Sequence, residues 1–271
     1  MRVASLLAIA ILSTGIHVAS AQDLVLAVNE GVTYRDAGLA SERYKPLLQL
    51  LSKELKQNVV VQSVDKYSTF AKGLADGKYD LAFVHPTQIG LYGVNHNGYE
   101  GIATAKGFTE YRAHIMVKKD SPLKTMKDLQ GKTIGVPALE SITTAMFIAA
   151  LRQLNFDSPE KTFIATRYQA AVPFMIDNDF AVAGVTGSAK VAKQWEEKGG
   201  RILAETKPTP IKLFLISKKI NAAERERVKA LILGLQDNDA GKTALSKIGM
   251  TGFVPWNNAV MNEAAVRLGV N

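Results

Sequence analysis

The sequence has no cysteine among its 271 residues. Without cysteine the chain cannot form disulfide bonds, bind a metal through thiolates, use a cysteine nucleophile or carry a lipid on a cysteine. Its stability must therefore come from its hydrophobic core, which about 250 residues are enough to build.

Long hydrophobic runs are also absent. Arg2 precedes a short apolar run at residues 3–12, and residues 19–21 read Ala-Ser-Ala, a small-residue pattern typical of signal-peptide cleavage. The run is shorter than the roughly 20 apolar residues of a spanning helix, and no later run reaches that length. We predict a cleaved signal peptide at residues 1–21 and a soluble mature protein, beginning at Gln22, in the bacterial periplasm.

The basic residues are scattered. The formal net charge is +8, but no run of five or more Lys or Arg occurs. A solvated basic surface is the simplest interpretation, with at most a mild preference for anionic ligands. Because no basic stripe interleaved with aromatic residues is present, we predict no nucleic-acid partner.

Strand-like and helix-like patterns alternate along most of the chain. This order predicts an α/β fold with a parallel-type sheet and helices on both faces. Strands are predicted at residues 24–28, 59–61, 81–84, 101–104, 114–118, 133–136, 162–165, 180–185 and 211–217. Helices are predicted at residues 41–55, 67–75, 88–94, 143–154, 170–176, 189–198, 222–235, 240–248 and 257–268.

The chain also divides into two similar halves. Residues 73–84 and 174–185 each read as a helix end, an Asp-Gly or Asp-Asn turn and a buried strand that leads to a polar turn. No Gly/Ser-rich or Pro-rich linker separates the halves, which favours two Rossmann-like lobes that share a short hinge. If the C-terminal helices pack back on the first lobe, the chain crosses between lobes twice. The predicted division is residues 22–117 and 209–271 for lobe 1 and residues 118–208 for lobe 2, with crossings near 117–119 and 206–210.

Polar turns follow several of the predicted strands. Open α/β sheets bind ligands at the carboxyl ends of their strands, against helix N-termini whose free N–H groups attract anions. We expect these turns to line one cleft and to bind a small oxyanion through neutral hydroxyls and amides. The candidate ligand-binding residues in these turns are Tyr34, His85, Thr87, Gln88, Ser141, Thr143, Thr144, Thr186 and Ser188.

Several candidates have an ordinary structural interpretation as well. The hydroxyls at residues 141–144 could simply cap a helix, since Ser and Thr are preferred there. His85 could pack in a rigid turn or bind a metal, although His96 and His114 offer no recognisable ligand spacing. Tyr34 could lie in a surface loop. We predict no metal and no cofactor.

Four segments of the sequence resemble a known family, the periplasmic solute-binding proteins of ABC transporters, in the phosphonate/phosphite/phosphate-binding branch. The resemblance implies a type II periplasmic binding protein architecture, with a helical C-terminal tail on lobe 1 and an oxyanion held between the lobes. It also implies delivery of that ligand to a membrane permease by a protein that is a monomer and not an enzyme. The segments are residues 43–55, 77–83, 118–122 with 128–132, and 141–144.

Three positions depart from what is usual in that family. Ile142 interrupts the hydroxyl-rich helix start, and residues 186–188 lack the acid that meets a ligand amine in phosphonate binders. Arg167, Tyr168 and Gln169 occupy a turn where a His is often found, and Tyr168 is added to the candidate ligand-binding residues. The pattern supports an oxyanion and argues against an aminoalkylphosphonate.

Two other functions remain open from the sequence. The same fold could present its ligand to a membrane sensor kinase instead of a permease. A periplasmic hydrolase with Ser141 or Thr143 as nucleophile is less favoured, because no Gly-x-Ser-x-Gly elbow is present and no base stands at motif spacing.

We expect the exported protein to begin at or near Gln22. Intact-mass measurement on a periplasmic extract checks this expectation. A mass that retains the first 21 residues would contradict it.

Overall fold

A computed structural model describes residues 22–30 and 37–271 of the chain. The predicted signal peptide and Tyr34 lie outside the described residues. Eleven strands are described: β1 to β11 at Leu24–Asn29, Val59–Ser63, Leu81–Val84, Tyr99–Ala105, His114–Val117, Ile134–Val136, Phe163–Ala165, Ala183–Thr186, Arg201–Glu205, Leu213–Ser217 and Phe253–Pro255. The α-helices described are α1 to α9 at Ala37–Leu55, Tyr67–Ala75, Thr87–His96, Ile142–Arg152, Val172–Asp177, Ala189–Glu197, Ala222–Gly234, Asp239–Lys247 and Asn258–Leu268.

The strands form two separate sheets, which confirms the predicted two-lobed α/β fold. The first sheet has six strands in the order β11-β4-β10-β3-β1-β2, and the second has five in the order β7-β6-β8-β5-β9. β1 runs parallel to β2 and β3, and β6 runs parallel to β7 and β8. Each lobe therefore directs the carboxyl ends of its central strands toward one edge, where ligands bind in open α/β sheets.

The sheets are mixed rather than purely parallel. β10 is inserted antiparallel between β3 and β4, and β5 is inserted antiparallel between β8 and β9. Sequence patterning reports burial and period but not strand direction, so this departure from the predicted parallel-type sheets was not visible in the sequence. β9 and β11 were not predicted.

The first lobe is held together by the apolar face of α1. Tyr44, Leu47 and Leu51 on this helix are fully buried against the sheet residues Leu26 and Phe83. The C-terminal helices α7 and α8 pack on α1, and α9 packs on α3. The predicted helical tail on lobe 1 is thus confirmed.

The strand pairing places the boundary between the lobes before β5 and not at residue 117 as predicted. β5 was assigned to lobe 1, but its residues hydrogen-bond to β8 and β9 in the second sheet, and Trp195 on α6 donates its indole N–H to the Val117 carbonyl at 3.0 Å. The first crossing is therefore residues 106–113, which precede β5. The strand predicted at 180–185 is also shorter, since Phe180 and Val182 are exposed and the strand begins at Ala183.

The two crossings run side by side. Thr209 donates its backbone N–H to Tyr111 and Ile211 donates to Phe108, both at 2.9 Å. This antiparallel pair joins the lobes through two short hydrogen-bonded segments, residues 106–113 and 206–212. In the described part of the chain, no helix is long and apolar enough to cross a membrane.

Candidate ligand-binding site

A cavity of about 320 Å³ lies between the lobes. Lobe 1, both crossings and lobe 2 all contribute to its wall, and none of the described residues on that wall is Asp or Glu. The lining residues are Tyr67 and His85 from lobe 1, Phe108, Tyr111, Ile211 and Lys212 from the crossings, and Pro137, Ala138, Ser141, Ile142, Thr143, Arg167, Gln169, Gly187 and Ser188 from lobe 2.

The N-terminus of α4 opens onto this cavity. Ser141 is the N-cap, and its hydroxyl accepts the backbone N–H of Thr144 at 3.2 Å. Ile142 and Thr143 begin the helix, so their N–H groups have no intrahelical partner. Both residues line the cavity, which therefore receives the positive end of an eleven-residue helix.

Gln169 organises the polar side of the wall. Its Oε1 accepts the Thr186 hydroxyl at 2.9 Å and the Gly187 N–H at 2.5 Å, while its Nε2 donates to the Tyr111 hydroxyl at 3.2 Å. A backbone N–H can only donate, so the bond from Gly187 fixes which end of the Gln169 amide is oxygen. The amide nitrogen must then face Tyr111.

The orientation of the Gln169 amide affects which hydrogen bonds the Thr143 hydroxyl can make. Because the Tyr111 oxygen accepts from Gln169, its own proton is available to Thr143, whose Oγ1 lies 2.7 Å away. A hydroxyl has one proton and two acceptor lone pairs. When the Tyr111 hydroxyl donates to Thr143, the Thr143 proton is left for an anion in the cavity.

Gly187 is required by this arrangement. A Cβ at this position would lie 1.8 Å from the Tyr111 hydroxyl oxygen and 2.7 Å from Thr143 Oγ1. A side chain would therefore displace the donor pair on the cavity wall.

His85 is a neutral group at the floor of the site. Burial, and to a lesser extent the nearby Lys212 charge, lower its pKa from 6.5 to about 4. Its Nδ1 is buried with no hydrogen-bond partner among the described residues. Tyr67 lies on the same wall. Its pKa is raised to about 12, mainly by burial and also by the nearby Tyr111 and Glu140, so Tyr67 also stays neutral at physiological pH.

The positive charges of the wall are Lys212 and Arg167. Burial lowers the pKa of Lys212 from 10.5 to about 8, and the Glu30 carboxylate opposes that shift. The Lys212 ammonium lies 3.8 Å from the centre of the Phe108 ring, a cation–π contact between the two crossings. Arg167 is exposed, with its guanidinium 5.7 Å from the Tyr168 ring centre.

Of the candidates named from the sequence, His85, Ser141, Thr143 and Ser188 lie on the cavity wall. Ser188 is also the N-cap of α6, where it accepts the Val191 N–H at 3.3 Å. Thr143 lies in the first turn of its helix, as expected. Whether these side chains contact a ligand stays a prediction.

The other described candidates do not line the cavity, and the hydrogen bonds that four of them donate go to the protein. Thr87 donates its hydroxyl to the Pro210 carbonyl, and Thr144 donates to the Pro137 and Ala138 carbonyls at 3.1 Å. Thr186 donates to Gln169, and Gln88 donates to the Glu140 carbonyl across the cleft at 2.9 Å. Tyr168 neighbours the wall residues Arg167 and Gln169 but is not itself on the wall.

The sequence reading missed the residues that come from the crossings. Phe108, Tyr111, Ile211 and Lys212 lie in segments without a motif, and they reach the cavity only because the crossings pair. The sequence pattern marks Tyr67 only as the first residue of a predicted helix. Gln169 was noticed for its departure from the family pattern but not assigned a role. Within residues 22–30 and 37–271, no group of three or more His, Asp or Glu is placed to hold a metal ion.

Two α/β lobes joined by two crossings, with a polar cavity between them, define a two-lobed ligand-binding protein. Residues 32–261 match the family described as the periplasmic substrate-binding protein of a phosphonate ABC transporter, and the chain belongs to that family. No curated protein matches the chain by sequence.

Solved structures with the same fold share little sequence with this chain. XAC2383 from Xanthomonas citri, bound to ATP, is similar with a TM-score of 0.75 and 14% identity over 92% of this chain and 98% of that one. PhnD1 from Prochlorococcus marinus, in complex with methylphosphonate, has a TM-score of 0.65 and 14% identity over 92% and 98%. The aliphatic sulphonate binding protein SsuA from Escherichia coli has a TM-score of 0.56 and 14% identity over 93% and 87%. At this level of identity the likeness shows the type II periplasmic binding protein fold alone.

The lowered pKa of Lys212 gives a stability prediction. Below pH 8 Lys212 is charged in the folded and unfolded states, and folding carries the cost of burying the charge. Between pH 8 and 10.5 the unfolded chain binds a proton that the folded protein does not, so this cost disappears as pH rises. Lys212→Met should therefore stabilise the ligand-free protein by about 1–2 kcal/mol near pH 7, allowing for partial solvent screening. The gain should be absent above about pH 10.5.

Urea unfolding at the two pH values measures this difference. Lys207→Met is the matched control, because Lys207 lies on the same crossing but its side chain is 66% exposed. A stabilisation by Lys212→Met that is equal at both pH values would contradict the assignment to charge burial.

Proposed function

We propose that this protein captures a small oxyanion in the cavity between its lobes and delivers it to the permease of an ABC transporter. The observation that carries the proposal is the N-terminus of α4, which presents free N–H groups and the Thr143 hydroxyl to the cavity. The described residues of the cavity wall include cations and no carboxylate. The family assignment supports transport as the purpose of the capture.

The chemistry of the wall favours an anion with several oxygens. The N–H groups of Ile142 and Thr143 and the Thr143 hydroxyl converge as donors, and hydrogen bonds to an ionised acceptor are about twice as strong as neutral ones. His85 and Tyr67 are neutral, so neither adds a negative charge. An oxyanion therefore meets donors and positive charge, and the part of the wall that the structure describes holds no opposing carboxylate.

The remaining wall favours a small substituent without an amine. Tyr67, Phe108 and Tyr111 supply aromatic surface, and Ile142 and Ile211 supply aliphatic surface. An alkyl group could rest on this surface without losing hydrogen bonds. A ligand ammonium would find no acid to pair with among the residues described on the wall, so an aminoalkylphosphonate is disfavoured.

Binding is proposed to hold the lobes together. The wall includes residues from both lobes, so a ligand that contacts both stabilises the arrangement in which they face each other. The hydrogen bond from Gln88 to the Glu140 carbonyl spans the cleft at 2.9 Å and belongs to the same arrangement. The crossings 106–113 and 206–212 are the segments about which the lobes would open to release the ligand.

Capture without catalysis is part of the proposal. The Ser and Thr hydroxyls that the described residues place on the wall are those of Ser141, Thr143 and Ser188, and none of them hydrogen-bonds to His85. A hydroxyl nucleophile requires an adjacent base. Export through a cleaved signal peptide and action as a monomer complete the proposal.

An oxyanion should raise the melting temperature of the purified protein. At a hundredfold excess over its dissociation constant, a ligand that binds only the folded state adds about 2.7 kcal/mol, which is several degrees for a protein of this size. A thermal-shift panel of phosphate, phosphite, methylphosphonate, sulfate, methanesulfonate, arsenite and amino acids tests this. A shift with amino acids alone would overturn the oxyanion proposal.

Thr143 and Thr144 offer a matched pair of substitutions. Thr143→Val removes the proposed donor and should weaken the oxyanion found in the panel by about ten- to a hundredfold, because a hydrogen bond to a charged group is worth about 1.5–3 kcal/mol. Thr144→Val removes a hydroxyl that bonds to the Pro137 and Ala138 carbonyls, so it should lower the stability of the ligand-free protein instead.

Calorimetric titration and ligand-free melting curves separate these effects. If Thr143→Val leaves the affinity unchanged and only lowers the melting temperature, its hydroxyl is structural and does not bind the ligand.

A further inference from the structure

We infer that Lys212 makes this cavity select a doubly charged phosphonate over a singly charged sulfonate of the same shape. This inference rests on the proposed function and narrows it to one class of oxyanion. Phosphonates and sulfonates both present a tetrahedral head with three oxygens, so a wall of neutral donors would fit both. Their difference is one unit of charge, and only a charged group on the wall senses it strongly.

Lys212 is well placed to sense that charge. It is the last residue of the return crossing, directly before β10, and it lies on the cavity wall beside Ile211. Its ammonium stands 3.8 Å from the centre of the Phe108 ring, which belongs to the same wall. Its backbone N–H donates to the His85 carbonyl at 3.5 Å, so Lys212 also lies beside that second wall residue.

Among the described residues, the charge of Lys212 is not paired in a salt bridge. Glu30 is the acidic group that acts on it, but the Glu30 carboxylate accepts hydrogen bonds from Arg43 and from the Tyr44 hydroxyl, the latter at 2.8 Å. No carboxylate in the described part of the chain lies within 4.0 Å of the Lys212 ammonium. The other titratable groups on the cavity wall are His85, Tyr67, Tyr111 and Arg167, and none of them is anionic near neutral pH.

The backbone at Lys212 supports a role for its side chain. The residue has φ of +61°, in the left-handed region, where glycine or asparagine would be accommodated at lower cost. Its carbonyl accepts the Ala105 N–H at 3.0 Å, which any residue at this position could do. The backbone conformation therefore does not require a lysine at this position. Attraction of an anion in the cavity would explain why a lysine is present.

The second charge of the ligand should therefore be recognised mainly here. A partly buried ammonium interacts with charge more strongly than a solvated one, because water screens it less. Each unit of charge on the ligand adds to that attraction, while the α4 N–H groups and the Thr143 hydroxyl donate to either anion. Arg167 is exposed, so water and salt screen its attraction for the ligand. It should therefore attract anions toward the cavity more than it distinguishes a phosphonate from a sulfonate.

Methylphosphonate and methanesulfonate are the probes, because they differ little in shape. A phosphonate loses its second proton near neutral pH, as phosphate esters do, whereas a sulfonate carries one charge throughout. At about pH 7.5, calorimetric titration should show methylphosphonate binding at least tenfold more tightly to the wild-type protein. Lys212→Met should bring the ratio of the two affinities close to one, mainly by weakening methylphosphonate.

Three further variants keep the result interpretable. Lys212→Arg retains the charge and should retain the preference for methylphosphonate. Lys212→Gly removes the charge at a position where glycine relieves the backbone, so it should fold and should lose the preference, as Lys212→Met does. Lys207→Met removes an exposed cation from the same crossing and should change neither affinity.

The outcomes distinguish the inference from the proposed function. If both anions bind and the ratio of their affinities is the same in the wild type, Lys212→Met and Lys212→Gly, the inference is overturned while capture of an oxyanion stands. A preference for methanesulfonate in the wild type would overturn it equally. If a folded wild-type protein binds no oxyanion, the proposed function fails and the inference fails with it.

Discussion

The pairing of the two crossings is the constraint on which the site depends. Hydrogen bonds from Thr209 to Tyr111 and from Ile211 to Phe108 hold residues 106–113 and 206–212 side by side. Because these segments are the covalent links between the lobes, their pairing fixes where the two sheets meet. It also places Phe108, Tyr111, Ile211 and Lys212 on the wall of the cavity between them. The hinge and much of the binding surface are thus the same residues.

A second feature of the site is the division of its polar groups into those that hydrogen-bond within the protein and those that remain available to a ligand. Several hydroxyls in the strand-end turns bond to the protein: Thr144 to the Pro137 and Ala138 carbonyls, Thr87 to the Pro210 carbonyl and Thr186 to Gln169. These bonds shape the turns and leave backbone N–H groups at the start of α4 as the donors. Gln169 also donates to the Tyr111 hydroxyl, which leaves the Tyr111 proton available to Thr143. The donors are set before any ligand arrives, and such preorganisation lowers the cost of binding.

The sequence reveals the parts of this architecture that depend on local patterns. Apolar periodicity located α1, α2 and most other helices, and the Ser/Thr-rich turn at residues 141–144 marked the end of α4 that faces the cavity. Strand order was not accessible, because whether β5 pairs with β4 or with β8 depends on residues far away in the chain. The wall residues Tyr111 and Lys212 were missed for the same reason. Phe180 and Val182 misled the strand prediction because exposed apolar residues resemble a buried run.

The neutral hydrogen-bond donors of the site and the Lys212 ammonium respond to different properties of a ligand. The N–H groups at the start of α4 and the Thr143 hydroxyl are directional, so they recognise the positions of oxygen atoms and are nearly indifferent to total charge. Lys212 has little directional preference, and its attraction grows with the charge of the ligand. Its partial burial and its left-handed backbone both cost stability in the empty protein. An anion in the cavity offsets the first of these costs, so the group that destabilises the empty site is also the group that gains most when the site is filled.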